Sequence, residues 1–327
     1  MAAPAQPRRA PGTGAIWAAL VSVYVAWGAT YLAIRVTVRT IPPLMSASVR
    51  FLIAGALMYG WAVLRGDRAG DRPTLVHWRS AFVIGAAMLF GGNGIVSLAE
   101  QTVPSGITAL LIATVPLWMV LMARFALGER VTWRETLGIV VGFGGAALLA
   151  QPAFDGRLDL LGVVLLLVAS ISWAAGSLYA RRAPLPDRPL VGVGMEMLAG
   201  GVILAVASVV AGELGDLELT AISGESLAGL AYLIVGGSLV GFASYVWLLR
   251  VARTSLVATY AYVNPVVAVF LGWLILSERI TVQTLIAGGV ILAAVAIIVS
   301  ARGAKESGAE PGAAAAAEAA GGERLSA

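Results

Sequence analysis

Leu127-Gly128-Glu129-Arg130-Val131-Thr132 and Leu276-Ser277-Glu278-Arg279-Ile280-Thr281 are two versions of one stretch, 149 residues apart. The same shift lays Pro116 on Pro265. A nearby shift of 146 lays Trp27 on Trp173, Pro43 on Pro189 and Arg50 on Glu196. Two similar and very apolar halves predict a membrane protein built from repeats, with its site between them.

Composition supports the membrane half of that statement. The chain is 59% hydrophobic and 12% charged, with a mean hydropathy of +0.88, too apolar for an ordinary soluble domain. Apolar segments long enough to cross about 30 Å of hydrocarbon recur from Ile16 to Ser300. Ten are expected, over 16–38, 44–64, 79–99, 105–127, 132–150, 158–180, 189–211, 226–249, 254–276 and 281–300. As helices of a soluble core they would lack a polar surface to enclose them, and they lack the period-2 alternation of a barrel. The expected fold is therefore an all-α polytopic membrane protein of ten transmembrane helices. Its first repeat covers 16–150 and its second 158–300. A cytoplasmic tail, 1–15, precedes them, and a disordered cytoplasmic tail, 301–327, follows; the latter is biased to Gly, Ala and Glu.

Charge sets the expected orientation. With the N-terminus inside, 17 Lys and Arg residues fall on the cytoplasmic side, in 65–79 (Arg65, Arg68, Arg72, Arg79), near 124–134, at Arg181, Arg182 and Arg188, at Arg250 and Arg253, and in the tails. Four, Arg35, Arg39, Arg157 and Arg279, fall outside. That satisfies the positive-inside rule. Five spans per half is odd, so the second half enters inverted. The basic 65–79 connection accordingly corresponds to 212–225, which holds Glu213, Asp216, Glu218 and Glu225 and no base. The net charge of +4 is thus a topology signal, and no nucleic-acid partner is implied.

There is no cysteine, and His77 is the only histidine, so thiolate or histidine-cluster metal sites, Cys nucleophiles and cofactor attachment are not expected. No Gly-rich Lys-Ser/Thr phosphate loop is present, and ATP hydrolysis is not indicated.

Five motifs carry a family resemblance: Trp27-Gly28-Ala29-Thr30-Tyr31, Pro43 followed by Val49-Arg50-Phe51, the two Glu-Arg turns, Gly92-Asn93-Gly94 through Val103-Pro104-Ser105-Gly106, and Tyr260-Ala261-Tyr262-Val263-Asn264-Pro265. Together, in order and at repeat spacing, they resemble the EamA-type branch of the drug/metabolite transporter superfamily. The resemblance covers nearly all of 16–300. It implies a ten-helix metabolite carrier of the bacterial inner membrane, often an exporter of amino acids or related small molecules.

The residues expected at the site follow from chemistry within the spans. A charge at mid-membrane costs about 2.5–3.5 kcal/mol on insertion scales, so Arg50 and Glu196 each need a partner or a wet cavity. Arg50 suits a carboxylate or phosphate; Glu196 suits an amine or a coupling proton. Small neighbours (Ser46, Ala47 and Ala54; Gly192, Ala199 and Gly200) predict close packing of both helices. The alternative is structural, with each charge tying down a neighbouring helix. Pro116 and Pro265 are expected to break spans four and nine at the midplane, freeing the carbonyls of Ile112 and Ala261. Asn264 has Val115 as its repeat mate, which singles it out for recognition. Trp27, Tyr31, Trp173 and Tyr260 are expected along an amphipathic pathway with Tyr24, Trp118, Tyr245 and Tyr262. Asn93 is a further candidate; Gly138-x-x-x-Gly142 and Gly237-x-x-x-Gly241 read as helix contacts, and the Glu-Arg pairs as turns. The expected activity is secondary transport by alternating access. Lipophilic-cation or multidrug efflux is the first alternative, and a membrane enzyme acting on lipid the second.

Overall fold

A computed structural model describes residues 13–65, 72–129, 131–154, 158–252 and 254–301. Arg8, Arg9, Arg68, Arg130, Arg157, Arg253, Arg302, Lys305 and Arg324, and nearly all of both tails, lie outside these residues. The described chain folds into ten helices: α1 (Thr13–Thr37), α2 (Pro43–Leu64), α3 (Leu75–Ala99), α4 (Ser105–Ala126), α5 (Trp133–Phe154), α6 (Leu160–Ala180), α7 (Pro189–Val210), α8 (Gly224–Val251), α9 (Tyr260–Leu276) and α10 (Val282–Ala301). Eight are long and apolar enough to cross a membrane. Of the others, α9 is 17 residues long and is preceded by a separate turn, Thr254–Val257; α5 has 22 residues but opens on Arg134 and Glu135.

Local sequence sets the boundaries. Pro43 and Pro189 occupy the first turns of α2 and α7, where a missing N–H costs nothing. Thr74, Asp159 and Ser223 cap α3, α6 and α8 with their side chains. The Asp159 carboxylate accepts from Thr102 Oγ1 (2.7 Å), Leu161 N and Gly162 N. The Thr102 hydroxyl first, then these amides, hold it below the usual carboxylate range against the opposing effect of desolvation. Gly128 and Ser277, one repeat apart, both stop their helices in the left-handed region, at φ 68° and 54°.

The two halves interlock. Helices α2 and α7 pack along each other through small residues. A Cβ on Gly55 would lie 2.9 Å from Leu198 N, and one on Gly194 2.8 Å from Tyr59 N. Ser48 Oγ donates to the Gly201 carbonyl at 3.0 Å. Helix α1 lies against α8 and α9, and α6 lies against α3 and α4. Each half's first helix thus meets the other half's third and fourth, as an inverted repeat requires. Both third helices widen into a π-helix at matching places, Gly85–Gly94 in α3 and Leu233–Val240 in α8.

Buried side chains such as Phe51, Leu117, Leu166 and Ile291 form the core. The periphery is apolar too: Val21, Val25, Leu57, Val206, Val235, Val266 and Phe270 are all exposed. A continuous apolar exterior of this kind fits a hydrocarbon solvent.

Candidate functional site

A cavity of about 580 Å³ lies between the halves, walled by α1, α2, α3 and α4 from one and α6, α8, α9 and α10 from the other. That volume suits a small-molecule ligand. It reaches the end of the bundle that carries Arg181, Leu249 and Val257. At the opposite end Glu100, Val103, Ser105 and Thr108 are fully buried.

Trp27, Tyr31, Arg50, Asn93, Trp173, Tyr260 and Asn264 all line this one space, as do Pro116 and Pro265. Trp27 anchors the aromatic wall. Its indole donates from Nε1 to the Gly237 carbonyl at 3.0 Å. Its ring meets Phe242, Tyr245 and Tyr260 at centroid separations of 5.2, 5.0 and 5.1 Å. Gly241 permits this approach, since a Cβ there would lie 2.5 Å from Trp27 Nε1. Gly92 does the same for Trp173, with 2.7 Å to its Cε3. Both belong to or border the π-helical stretches, where a wider turn brings backbone toward the cavity.

Arg50 is buried. Its Nε donates to Ser238 Oγ in the π stretch of α8 at 2.9 Å, and its guanidinium lies 4.7 Å from the Phe51 ring centroid. Ser238 engages one of five N–H donors, which fixes the head in the cavity wall. No bridge joins Arg50 to Glu196. Glu196 does not line the cavity; its backbone carbonyl instead lies where α7 meets Gly85 of α3. Of the sequence candidates for substrate contact, Glu196 is thus set apart from those named above, outside the lining. Periodicity gave its helix but not which side of that helix the first half covers.

The helix breaks differ from expectation in one half. In α4 the helix stops at Ile112 and resumes at Val115, just before Pro116 as expected. In α9 the helix runs through Pro265, and the interruption falls earlier, at Ala258 and Thr259. Tyr24 and Leu256 both engage the Thr259 hydroxyl there, which stabilises the break before the proline is reached. Pro265 still has no N–H for the Ala261 carbonyl, nor Pro116 for that of Ile112, and both Ile112 and Ala261 line the cavity. The Asn264 side-chain oxygen is also buried without a hydrogen-bond partner.

Among the aromatic group, Tyr245 lines the cavity while Tyr24, Trp118 and Tyr262 do not; Trp118 packs edge-on against Phe143 instead. Sequence reasoning missed Thr30, Ser177, Arg181 and Phe242. The Trp173, Ser177, Arg181 spacing of four residues places all three on one face of α6 and was a usable signal. Of the glycine pairs, Gly138 and Gly142 face α10 and α4, and Gly237 faces Thr30 and Arg50.

Chemically, the cavity lining offers an aromatic wall, a buried cation in Arg50 and a second cation, Arg181, at the open mouth. Among the described residues no carboxylate lines it, and no group of three or more His, Cys, Asp or Glu could hold a metal ion.

The EamA-like transporter family matches this chain twice, over residues 12–151 and 160–300. The uncharacterized inner membrane transporter YedA of Escherichia coli K12 is 41% identical over 289 residues, covering 86% of this chain and 90% of that protein. A probable amino-acid metabolite efflux pump of the same strain is 26% identical over 272 residues, covering 79% and 86%. A solved crystal structure superposes with a TM-score of 0.59 at 21% identity, over 89% of this chain and 98% of that one, which shows a shared fold.

Proposed function

This chain belongs to the EamA-like transporter family, and from that premise we propose that it exports amino acids or closely related zwitterions across the inner membrane. The observation that carries this reading is the cavity's division of charge. Arg50 supplies a buried cation for a carboxylate. The backbone carbonyls of Ile112 and Ala261, which Pro116 and Pro265 leave without an N–H donor, are the acceptors for an ammonium. Trp27, Tyr260 and Trp173 offer apolar area to a side chain between the two. The E. coli efflux pump, by its name, acts on amino-acid metabolites, which supports the same substrate class here.

Lipophilic-cation efflux is less well supported. A cationic drug calls for an acid in the pocket, and the described lining has Arg50 and Arg181 but no acid. In the orientation set by the arginines, both termini are cytoplasmic and the cavity opens to the cytoplasm, the loading side for an exporter. Substrate then leaves when the halves rock and the other end opens.

The test is a metabolite profile of the medium around cells expressing the protein, against cells with Arg50→Ala at equal membrane abundance. One charge-assisted hydrogen bond contributes about 1.5–3 kcal/mol, so the variant should lose roughly 10- to 100-fold in apparent affinity. A narrow rise in amino acids, absent in the variant, is expected. A rise in lipophilic cations, or one indifferent to Arg50, would overturn the reading.

A further inference from the structure

We propose that Glu100, at the closed end of the cavity, is a proton-binding site whose ionisation opens that end; this rests on the transport reading above and deepens it. Glu100 terminates α3 and is 0% exposed, and neither carboxyl oxygen has a hydrogen-bond partner. An ionised carboxylate in that position would lose its hydration with no hydrogen bond to either oxygen in return. The group is therefore held here as the neutral acid.

Its surroundings reinforce that state. The ionisable groups facing it are Tyr31 and Arg35 of α1 and Glu278 of the α9–α10 connection. Glu278 is the better-solvated acid. It accepts from Ser105 N at 2.8 Å, Ser105 Oγ at 2.9 Å and Gly106 N at 3.0 Å, at the N-terminus of α4 where negative charge is favoured. A second negative charge beside it is disfavoured. Arg35 offsets this only in part, because its Nη1 donates to the Glu100 backbone carbonyl and not to the carboxyl. Asp159 on the neighbouring α6 is engaged by Thr102 and its own helix.

These contacts tie α1 to the end of α3, and the second half's Glu278 to the first half's α4. They are the seal of the closed end. With Glu100 protonated the seal is compatible with burial; losing the proton requires water, and water requires the seal to part. A proton taken up from outside would then return the carrier to the conformation described here, so the outer pH biases the rocking equilibrium. Glu196, the acid that sequence pointed to, is not needed for this.

The chain has no native cysteine, so spin labels can be placed at Gln101→Cys and Val282→Cys alone. Both positions are exposed, at the closed end and on opposite halves. The inter-label distance is measured in lipid nanodiscs by double electron–electron resonance from about pH 5 to about pH 9, a window wide enough for a buried carboxyl. The expected result is one short distance at low pH and a growing longer population as pH rises. Glu100→Gln should stay short throughout, while Glu100→Asp should keep a pH response and so control for folding. A parent distance indifferent to pH, or a response that survives Glu100→Gln, would overturn the proposal. Because no substrate is present, either failure leaves the metabolite-export reading to its own test.

Discussion

Gly92 has no room for a side chain. Alanine there would put its Cβ 2.7 Å from the Trp173 ring, and the indole, on the cavity wall, would have to move. Gly92→Ala is expected to lower export while leaving the protein folded, as measured by flux at matched abundance. Asp159 gives a residue-scale prediction on pH. Its folded value lies below the unfolded one, so the stabilisation it brings is complete above the ordinary aspartate range near about 3.9. That stabilisation disappears as pH falls through the lower, folded value. Melting temperatures taken at successively lower pH should therefore drop more steeply in the parent than in Asp159→Asn. At this scale Arg50 was legible in the sequence because a lone charge in an apolar run must be served by something. Glu196 met the same criterion but lies outside the cavity lining, since a helix's periodicity does not say which neighbour covers each face. Glu100 sits at a span end, where a charge in sequence reads as solvated; only burial reveals it.

Helix ends show how the elements are held. The buried Glu213 carboxylate accepts from Leu44 N at 3.0 Å, Met45 N at 2.8 Å and Ser208 Oγ at 2.8 Å. The acidic 212–225 connection thus caps α2 from the other half. Glu213→Ala leaves buried donors unpaired, at about 1–3 kcal/mol, and should lower the melting temperature in detergent. Ser277 occupies the left-handed turn that its repeat mate fills with Gly128. Ser277→Gly relieves about 1–2 kcal/mol of strain and gives back about 0.5–1 kcal/mol through the unfolded chain, so a small rise in melting temperature is expected. The Glu-Arg repeat read as a turn; Arg130 lies outside the described residues, and Glu278 and Arg279 lie in the connection between α9 and α10, but the reach of Glu278 to α4 is a contact between halves that spacing cannot show. The break before α9 was displaced from Pro265 to Ala258 and Thr259 for a similar reason: a tertiary hydrogen bond from Tyr24 decides the site.

For the whole molecule, the internal shift and the run of apolar segments made ten helices and two halves readable, and the clustering of prolines, aromatics and amides within spans made most of the cavity readable. How the halves interlock, and which end is sealed, required three dimensions. The orientation drawn from the arginines has its own check in this cysteine-free chain. Single cysteines at Asp187 and at Leu219, both exposed and at opposite ends of the bundle, should react with an impermeant thiol reagent from the cytoplasmic and outer faces respectively. The reverse pattern would invert the loading side. The paired widening of α3 and α8 reaches further, into the history of the fold. A π stretch is in effect a residue inserted into a helix, and here it lies at matching points of both halves. Matching insertions in both halves are what the doubling of a single half already carrying one would leave. A present-day relative that encodes only five helices and assembles from two inverted copies should carry the same swollen third helix.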